Sequence, residues 1–422
     1  LSPLVLTAGV LSLLSTSSRQ NVIDACQLNN PVPTSIPGAS HSRYTDGAFE
    51  WGFAETPTMG TTNIIVTDKI VFNELMYDCF TSRRSREEDV DDRNSVGKYI
   101  ELYNNGSTTV DMDGWKITEG LTYTFTAGTS MDPNTYLVIA LDPTYIQTTY
   151  GITGVKGPWG GNLSGSGELI RLLDKKGNIV DSVLYSSGGK WADNSNGRGA
   201  SLELIDPSQD NAYGGAWDAC DLSQKAAWVE LKCWITVPPG GIVGDSVIRF
   251  LPNETSEFLL DDVQLRFRGA GGNFISNGDF ETNTSPWIIQ GTLVRSVRTT
   301  VDKKVGNACL RVIASNPGDL RNNRLAIEIV PALTEGDYEL KMWVRWQSGS
   351  NMFVVCGYDG AFSHVFYMPL PRDLGTPGRE NSVTEALRTL HGSVNLGPII
   401  SNVTQDPVSP VGDQPVVITA QV

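Results

Sequence analysis

The sequence predicts an all-β protein made of several β-sandwich domains. Of its 422 residues, 43 are Gly and 22 are Pro, which is typical of short strands joined by tight turns. Segments with apolar residues at helical spacing are nearly absent, whereas many segments alternate apolar and polar residues, as half-buried strands do. A chain of this length is sufficient for two or three domains, each with its own core.

The charge of the chain narrows the classes of partner. The formal net charge is −15, and nucleic-acid partners need a basic face, so we expect no nucleic-acid partner. An acidic surface suits a soluble extracellular protein, or one that collects cations. No apolar run reaches the ~18 residues needed to cross a bilayer, so we expect no membrane span.

The first 24 residues begin apolar and end polar, as a secretion signal does. A signal peptide needs a basic region before the apolar run, but the first basic residue is Arg19. The segment GVLSLLSTSSRQNVID instead resembles GELIRLLDKKGNIVD further along the chain. Both indicate a strand, a polar turn and a second strand. Leu11 and Leu14 are therefore expected in a β-hairpin with Val22, and not in a helix.

Further landmarks repeat in the same order. The tripeptide Gly-Ala-Ser occurs at 38–40 and at 199–201, and Trp51 has a counterpart in Trp217. An internal repeat of this kind indicates two copies of one domain. We therefore interpret residues 1–63 as the C-terminal part of a truncated domain and residues 64–222 as a complete copy.

The complete copy contains two candidate hairpins. The first is expected around the Asn-Asn-Gly turn at 104–106, between YIELYNN and the strands that follow. The second is expected to turn at Lys176-Gly177, inside GELIRLLDKKGNIVDSVLY.

The same residues carry a resemblance to a known family. The segments IVFNELMY, YIELYNNG, VDMDGWKIT, YTFTAGT, YLVIALDP and LSGSGELIRLLDKKGNIVDSVLY resemble the lamin tail domain in its bacterial extracellular form. The resemblance implies an immunoglobulin-like β-sandwich. Within it the following apolar residues are expected in the core: Phe72, Ile100, Leu102, Trp115, Ile117 and Leu169.

Residues 223–374 show a different pattern. NGDFE followed by a Trp, GNACLRV, LTEGDYELKMWVRW and the acidic strand LLDDVQL resemble galactose-binding-like jelly rolls, a group that includes many carbohydrate-binding modules. In that group the acidic strand closes the domain, but here it precedes NGDFE. Either residues 223–374 form one permuted jelly roll, or residues 223–268 are the remnant of a separate module.

This second resemblance implies two kinds of site. The family often holds a structural calcium ion, and hard cations of this type prefer oxygen ligands, so the candidate calcium ligands are Asp261, Asp262, Asp279 and Glu281. A carbohydrate platform needs exposed aromatic rings that stack on sugars. The candidates for glycan binding are Trp287, Trp343, Trp346 and Tyr358, with Trp234 as a further possibility. Trp343 and Trp346 are three residues apart, so in a strand they face opposite sides and at least one should be core.

The six cysteines leave two interpretations open. They contain no Cys-x-x-Cys pair, and the chain has only three His, so a zinc site is not expected. The cysteines are either buried thiols or partners in one or two disulfides. If a bridge forms, Cys309–Cys356 is the first choice, because both lie in strand-like segments of one domain.

The last 48 residues are expected to lead into a further module. Residues 375–397 are interpreted as a turn-rich linker, and residues 398–422 resemble the start of another immunoglobulin-like domain. With partial domains at both ends, the chain is expected to be a segment of a long modular protein that is secreted or exposed on a cell surface.

No pattern of catalytic residues is found. The three His are scattered, and there is no His-Glu-x-x-His, Gly-x-Ser-x-Gly or phosphate-binding loop. We therefore expect a non-catalytic segment that acts in adhesion or glycan binding, with β-sandwich modules as spacers. One alternative is a structural subunit of a surface layer, stalk or filament that binds copies of itself or other surface proteins. Another is a set of accessory modules of a secreted enzyme.

Overall fold

The computed structural model describes eleven stretches of the chain: 9–14, 22–28, 40–43, 51–54, 58–63, 69–79, 96–240, 246–357, 362–385, 401–406 and 417–421. Within them the protein is almost entirely β-structure, as the sequence predicts. None of the helices in these stretches has the length and apolar character that a membrane crossing requires.

The strands up to residue 219 are as follows, in chain order: β1 Gly9–Leu14, β2 Val22–Leu28, β3 Ser40–Arg43, β4 Trp51–Ala54, β5 Ile70–Met76, β6 Tyr99–Asn104, β7 Val110–Asp111, β8 Lys116–Glu119, β9 Leu121–Thr124, β10 Ser130–Met131, β11 Tyr136–Ala140, β12 Gly160–Gly161, β13 Gly167–Leu173, β14 Ile179–Ser186, β15 Leu202–Leu204 and β16 Trp217–Ala219. A short helix, α1, covers Pro143–Tyr150.

The remaining strands are β17 Val229–Val237, β18 Val247–Pro252, β19 Ser256–Phe267, β20 Ile288–Gln290, β21 Val297–Thr299, β22 Cys309–Ala314, β23 Arg324–Glu328, β24 Gly336–Gly349, β25 Met352–Gly357, β26 Phe362–Tyr367, β27 Ser401–Asp406 and β28 Val417–Gln421.

The first sandwich consists of two five-stranded sheets. Sheet 1 has the order β11-β6-β5-β15-β16, and sheet 2 has the order β12-β9-β8-β13-β14. Their inner faces enclose one apolar core, in which Phe72, Ile100, Leu102, Trp115 and Ile117 are at most 3% exposed. These five core predictions are confirmed.

The sixth core prediction, Leu169, is wrong. Leu169 is only half-buried and pairs with Leu184, which is 62% exposed, on the outer face of sheet 2. Alternate residues of a strand face opposite sides, and in β13 the inward side belongs to Ile170 and Leu172, both 0% exposed. The predicted turn at Lys176-Gly177 is confirmed: β13 pairs antiparallel with β14, and Gly177 has φ 88°.

The hairpin expected at the Asn-Asn-Gly turn does not form. β6 pairs with β5 and β11, whereas β7 pairs with β10. The Asn104 side chain donates to the carbonyls of Thr108 and Met131 at 3.0 and 2.9 Å. These bonds fix the chain that follows β6 beside β7 and β10. It therefore leaves sheet 1 and does not fold back to pair with β6.

The second sandwich also has two five-stranded sheets. Sheet 3 has the order β17-β24-β19-β22-β21, and sheet 4 has the order β20-β23-β18-β25-β26. The early strands pair with late ones: β17 and β19 both lie against β24, and β18 lies against β25. Residues 229–267 therefore belong to the same two-sheet unit as the strands that follow.

The outer segments form separate strand pairs. β1 pairs antiparallel with β2, and Leu14 lies opposite Val22, so the predicted hairpin is confirmed. Its register resembles that of β13–β14: Leu13 faces Asp24 just as Leu172 faces Asp181, and an irregularity follows both. β3 pairs with β4 as β15 pairs with β16, and β27 pairs with β28.

Cys309–Cys356, the first choice if a disulfide formed, is not a bridge. Cys79, Cys220, Cys233, Cys309 and Cys356, the cysteines whose side chains the structure describes, are buried thiols. Cys309 lies on β22 in sheet 3 and Cys356 on β25 in sheet 4. The Cys309 thiol donates to the carbonyl of Asp302 at 3.0 Å. The alternative of buried thiols holds for these five.

The two sandwiches meet at a glycine. Gly199 has φ 103°, and a Cβ placed there would lie 3.0 Å from the indole ring of Trp346 on β24. The amide of Gly349 donates to the carbonyl of Arg198 at 3.1 Å beside this contact. The backbone conformation and the close approach both favour Gly at this position.

The corrected orientation of β13 is testable with a matched pair of substitutions. Leu172→Ala is expected to lower the free energy of unfolding by about 2–5 kcal/mol, because it leaves a cavity in the core. Leu169→Ala is expected to cost about 1 kcal/mol, because its side chain is already half in water. Chemical denaturation measures both values, and equal losses would contradict the orientation described.

Candidate functional site

Two of the predicted ligand-binding tryptophans are core residues. Trp287 is 6% exposed, packs on Phe250 and Phe280, and donates its indole N–H to the carbonyl of Asn277 at 2.9 Å. Trp346 is 1% exposed and contacts Gly199 at the junction between the sandwiches. A third candidate, Tyr358, lies outside the described residues.

Trp343 and Trp234 share the outer face of sheet 3. Trp343 lies opposite Glu230, four residues before Trp234 on β17, and residues four apart in a strand face the same side. Trp234 is 59% exposed, whereas Trp343 is half-buried with the Lys304 ammonium 4.3 Å from its ring centre. This face therefore presents aromatic surface at two points about 13 Å apart along the strand.

Charged side chains surround these two rings. Glu339 lies opposite Trp234, and Lys232 lies opposite Lys341. The Lys341 ammonium is 3.5 Å from a carboxylate oxygen of Glu230. The outer face of sheet 3 thus combines stacking surface with hydrogen-bond donors and acceptors.

Two of the predicted calcium ligands hold one loop in place. Asp261 is 0% exposed, and its Oδ2 accepts from the amides of Lys304 and Val305 at 2.8 and 2.9 Å. Glu281 Oε1 accepts from the amide of Asn307 at 2.8 Å. Burial raises the pKa of Asp261, whereas the Asn307 amide lowers the pKa of Glu281. Both carboxylates therefore anchor the loop that leads into β22.

The other two predicted ligands have different surroundings. Asp262 accepts from the Gln264 amide at 2.6 Å, and Asp279 is exposed. Within the described residues, no group of three or more His, Cys, Asp or Glu side chains is placed to hold a metal ion. A calcium ion here would have to compete with the backbone amides that already bind Asp261 and Glu281. Calcium binding stays a prediction.

The most unusual cluster of the structure is a row of three buried glutamates on the outer face of sheet 1. Glu101 on β6 lies opposite Glu74 on β5, which lies opposite Glu203 on β15. All three are 0% exposed. Directly opposite residues in an antiparallel pair have Cβ atoms about 5 Å apart, so three carboxyl groups lie side by side away from water. We call them the glutamate row.

A segment from the far side of the second sandwich covers the glutamate row. Residues 373–385 follow β26 and return to sheet 1, and we call them the return segment. Its amides donate to all three glutamates: Thr376 to Glu74 at 2.8 Å, Gly378 to Glu101, and Val383 to Glu203 at 3.1 Å.

Side chains complete the contact. The hydroxyls of Thr376 and Ser382 donate to the two oxygens of Glu203. The Asn381 amide donates to the carbonyls of Asn73 and Leu204 at 3.0 and 2.8 Å. The return segment is therefore held on sheet 1 by backbone and side-chain hydrogen bonds, as a paired strand would be, although it is not itself a β-strand. The sequence predicts a turn-rich linker at residues 375–397, whereas residues 375–385 are docked on sheet 1.

The position of Gly375 shows how closely the segment approaches the sheet. Its φ is 94°, and an added Cβ would overlap the hydroxyl of Tyr99. That hydroxyl donates to Glu74 at 2.6 Å. The Lys225 ammonium donates to the carbonyl of Gly375 at 2.9 Å. Only glycine fits this conformation and this distance without strain.

Burial controls the ionisation of the row. Desolvation and the neighbouring charge of Glu203 raise the pKa of Glu74 to about 7, against the lowering effect of hydrogen bonds from Ser201, Tyr99 and Thr376. Burial and the charge of Glu74 raise the pKa of Glu101 well above its usual range. Among the described residues, the Oε2 atom of Glu74 is buried without a hydrogen-bond partner. An ionised oxygen in that state is costly, so a proton on Glu74 is favoured.

A cleft between the sandwiches lies beside the return segment. It has a volume of about 680 Å³, and Ser382 and Val383 form part of its wall. Two of its carboxylates are paired with arginines, Asp302 with Arg345 at 2.8 Å and Glu257 with Arg311 at 2.6 Å, and Asp218 and Asp221 accept from the backbone amides of Ala219 and Ser223. We therefore place the candidate sites at the outer face of sheet 3 and at the glutamate row.

Sequence reasoning missed the glutamate row, although a signal was present. Each of the three strands has a Glu followed by Leu within an apolar segment: NEL at 73–75, IEL at 100–102 and LEL at 202–204. A carboxylate that recurs in buried strands indicates that the second face of the sheet is also covered. The segment that covers it lies about 170 residues or more further on, and no local pattern points to it.

Comparison with known families agrees with this architecture. The family model described as Lamin Tail Domain matches residues 66–187. By this match the first sandwich is similar to a lamin tail domain, and we call it the lamin tail sandwich or lamin tail domain below. The match covers sheet 2 and strands β5, β6 and β11 of sheet 1, and the sandwich continues beyond it through β15 and β16. The chain has no match among the curated proteins and none among the solved structures.

The docking of the return segment on the lamin tail sandwich is testable. Thr376→Val keeps the shape of the side chain but removes the hydroxyl that donates to buried Glu203. We expect the free energy of unfolding to fall by about 1–3 kcal/mol, the cost of an unsatisfied buried acceptor. Urea denaturation measures the change. Thr236→Val is the matched control, because its hydroxyl bonds to Asp337 at the surface and should contribute at most about 0.5 kcal/mol. Equal effects would argue against the buried bond.

Proposed function

We propose that this chain is a non-catalytic binding segment of a modular extracellular protein, in which the second sandwich binds a glycan and the lamin tail domain supports it. The observation that carries the proposal is the outer face of sheet 3, where Trp234 is 59% exposed on the same side as Trp343. Exposed indole rings on a rigid sheet are suited to stack on sugar rings.

The spacing and polarity of this face favour an oligosaccharide. One sugar ring is too small to contact both tryptophans across about 13 Å, so the ligand should span several sugar units. Glu230, Lys232, Glu339 and Lys341 provide donors and acceptors for hydroxyl groups between the rings. Since Lys304 covers one side of Trp343, Trp234 is the main stacking residue.

The junction of the two sandwiches supports the spacer part of the proposal. An immunoglobulin-like sandwich is consistent with a modular spacer. Here the contact of Trp346 with Gly199 and the bonds of the return segment join two sandwiches. The same rigidity also suits the alternative of a structural subunit in a stalk or filament, which electron microscopy would distinguish by ordered polymers without glycan binding.

The glycan proposal predicts a specific loss of binding. On a glycan array, the wild-type chain should bind an oligosaccharide that Trp234→Ala binds about tenfold more weakly, which corresponds to about 1.4 kcal/mol of stacking. The melting temperature should be unchanged, because the Trp234 side chain is mostly in water. Tyr213→Ala is the matched control, an aromatic 69% exposed on the lamin tail sandwich, and it should bind normally. Wild-type affinity in Trp234→Ala would overturn the proposed platform.

The calcium prediction has an independent test. An ion that binds only the native state stabilises it, so EDTA should lower the melting temperature of the second sandwich if calcium is bound. Glu281→Gln should then remove the effect of EDTA. Unchanged melting of the wild-type chain in EDTA would contradict calcium binding and leave Asp261 and Glu281 as anchors of the loop alone.

A further inference from the structure

The glutamate row accepts the hydrogen bonds of the return segment with ionisable groups, although neutral acceptors could do the same. A docking surface for amide and hydroxyl donors needs acceptors, and buried acceptors are usually neutral carbonyls. Here three carboxylic acids serve this purpose, side by side and 0% exposed. Lys225, the cation that bonds to the return segment, donates to the carbonyl of Gly375 and to no carboxylate of the row.

The ionisable groups that face Glu74 are acids, and the cation Lys225 bonds to the carbonyl of Gly375 and acts on the Cys220 thiol. Glu74 faces Tyr99 and Glu101 from β6, Glu203 from β15, Tyr150 from α1 and Cys220 after β16. The return segment itself carries Asp373, Arg379, Glu380 and Glu385, of which Glu380 is half-buried and the other three are exposed to solvent. Three adjacent carboxylates without a cation cannot all ionise in a dry site.

Glu74 is the member of the row where a proton matters most. It lies between the other two glutamates, its Oε1 accepts from the Thr376 amide of the return segment, and its Oε2 is buried without a hydrogen-bond partner. If the return segment left, water would reach both oxygens. The docked and released states therefore differ in how strongly they hold a proton on Glu74.

We propose that the glutamate row is a proton-operated lock, in which a proton on Glu74 favours docking of residues 373–385 and thereby joins the two sandwiches. Since the return segment continues directly from the second sandwich, its release would free that sandwich from part of its contact with the lamin tail domain. The lock would make the rigidity of the two-sandwich unit depend on the acidity of its surroundings.

The direction of the pH effect follows from linkage. The pKa of Glu74 is about 7 in the docked state and 4.5 in its ordinary state. Below pH 4.5 both states hold the proton, and docking is strongest. Between the pKa of the released state, in which Glu203 and Glu101 still adjoin Glu74, and pH 7, only the docked state holds the proton. Docking therefore weakens about tenfold per pH unit over this interval, with about 300-fold as the upper limit, reached if release restored the ordinary pKa of 4.5. Above pH 7 both states are ionised and the equilibrium levels off at its weakest.

Hydrogen exchange read by mass spectrometry tests the lock on the whole chain. The amides of Thr376, Gly378 and Val383 donate to the three glutamates, so their protection reports docking. After correction for the intrinsic pH dependence of exchange, their protection should fall from pH 4.5 to pH 8, by at most about 300-fold. The paired strands β18 and β25 of the second sandwich are the internal control, and their protection should stay constant.

Substitutions separate the lock from a general effect of pH. Glu74→Gln keeps the acceptor for Thr376 but cannot ionise, so the pH dependence of protection in the return segment should become clearly weaker, and what remains is assigned to Glu101, whose pKa burial also raises. Glu254→Gln, at an exposed glutamate of the second sandwich, should behave as wild type. Glu203→Gln removes the neighbouring charge that raises the pKa of Glu74 and should move the transition to lower pH.

Three outcomes would overturn the proposal. Protection of the return segment that does not change with pH in the wild-type chain would show that no proton controls docking. The same pH dependence in Glu74→Gln would assign the effect to another group. If Glu74→Gln does not fold, an unchanged transition in Glu203→Gln would still contradict a lock at this row.

Discussion

The hydrogen bonds between the return segment and the glutamate row are the constraint on which the arrangement of the two sandwiches depends. Backbone amides of Thr376, Gly378 and Val383 each bind a different glutamate on a different strand of sheet 1. The segment is continuous with β26, so these bonds connect the two sandwiches as well as covering a sheet. The contact between Gly199 and Trp346 lies on the same side and completes the junction.

This constraint also explains why sheet 1 differs from a sheet with one face in water. Antiparallel sheets commonly alternate buried and solvated residues, but six of the seven residues of β5 are buried. The inner face packs on the core of the lamin tail sandwich, and the outer face packs under the return segment. Carboxyl groups can occupy that outer face because the segment brings amide and hydroxyl donors to them, which satisfies buried polar groups.

The two candidate sites of the molecule have different physical characters. The outer face of sheet 3 is open, with Trp234 in water and charged side chains around it, as a surface for a hydroxyl-rich ligand should be. The glutamate row is closed and dry, and its chemistry is that of protonation. We propose the first site for ligand binding and the second for control over how the second sandwich is held against the lamin tail domain.

The sequence by itself determined the fold class, most of the core of the first sandwich and the β-hairpins at 9–28 and 167–186, because strand periodicity and turn residues act locally. The resemblance to the lamin tail domain was also visible in the sequence. It also determined that one of Trp343 and Trp346 is core, from their spacing alone. Only the tertiary structure decided that Trp346 is that residue, that Ile170 and Leu172 rather than Leu169 face inward, and that Cys309 and Cys356 lie in different sheets. The glutamate row and the return segment that covers it could not be predicted from local sequence patterns, because the donors at 376–383 lie about 170 to 300 residues from the acceptors. Only folding of both sandwiches brings them together.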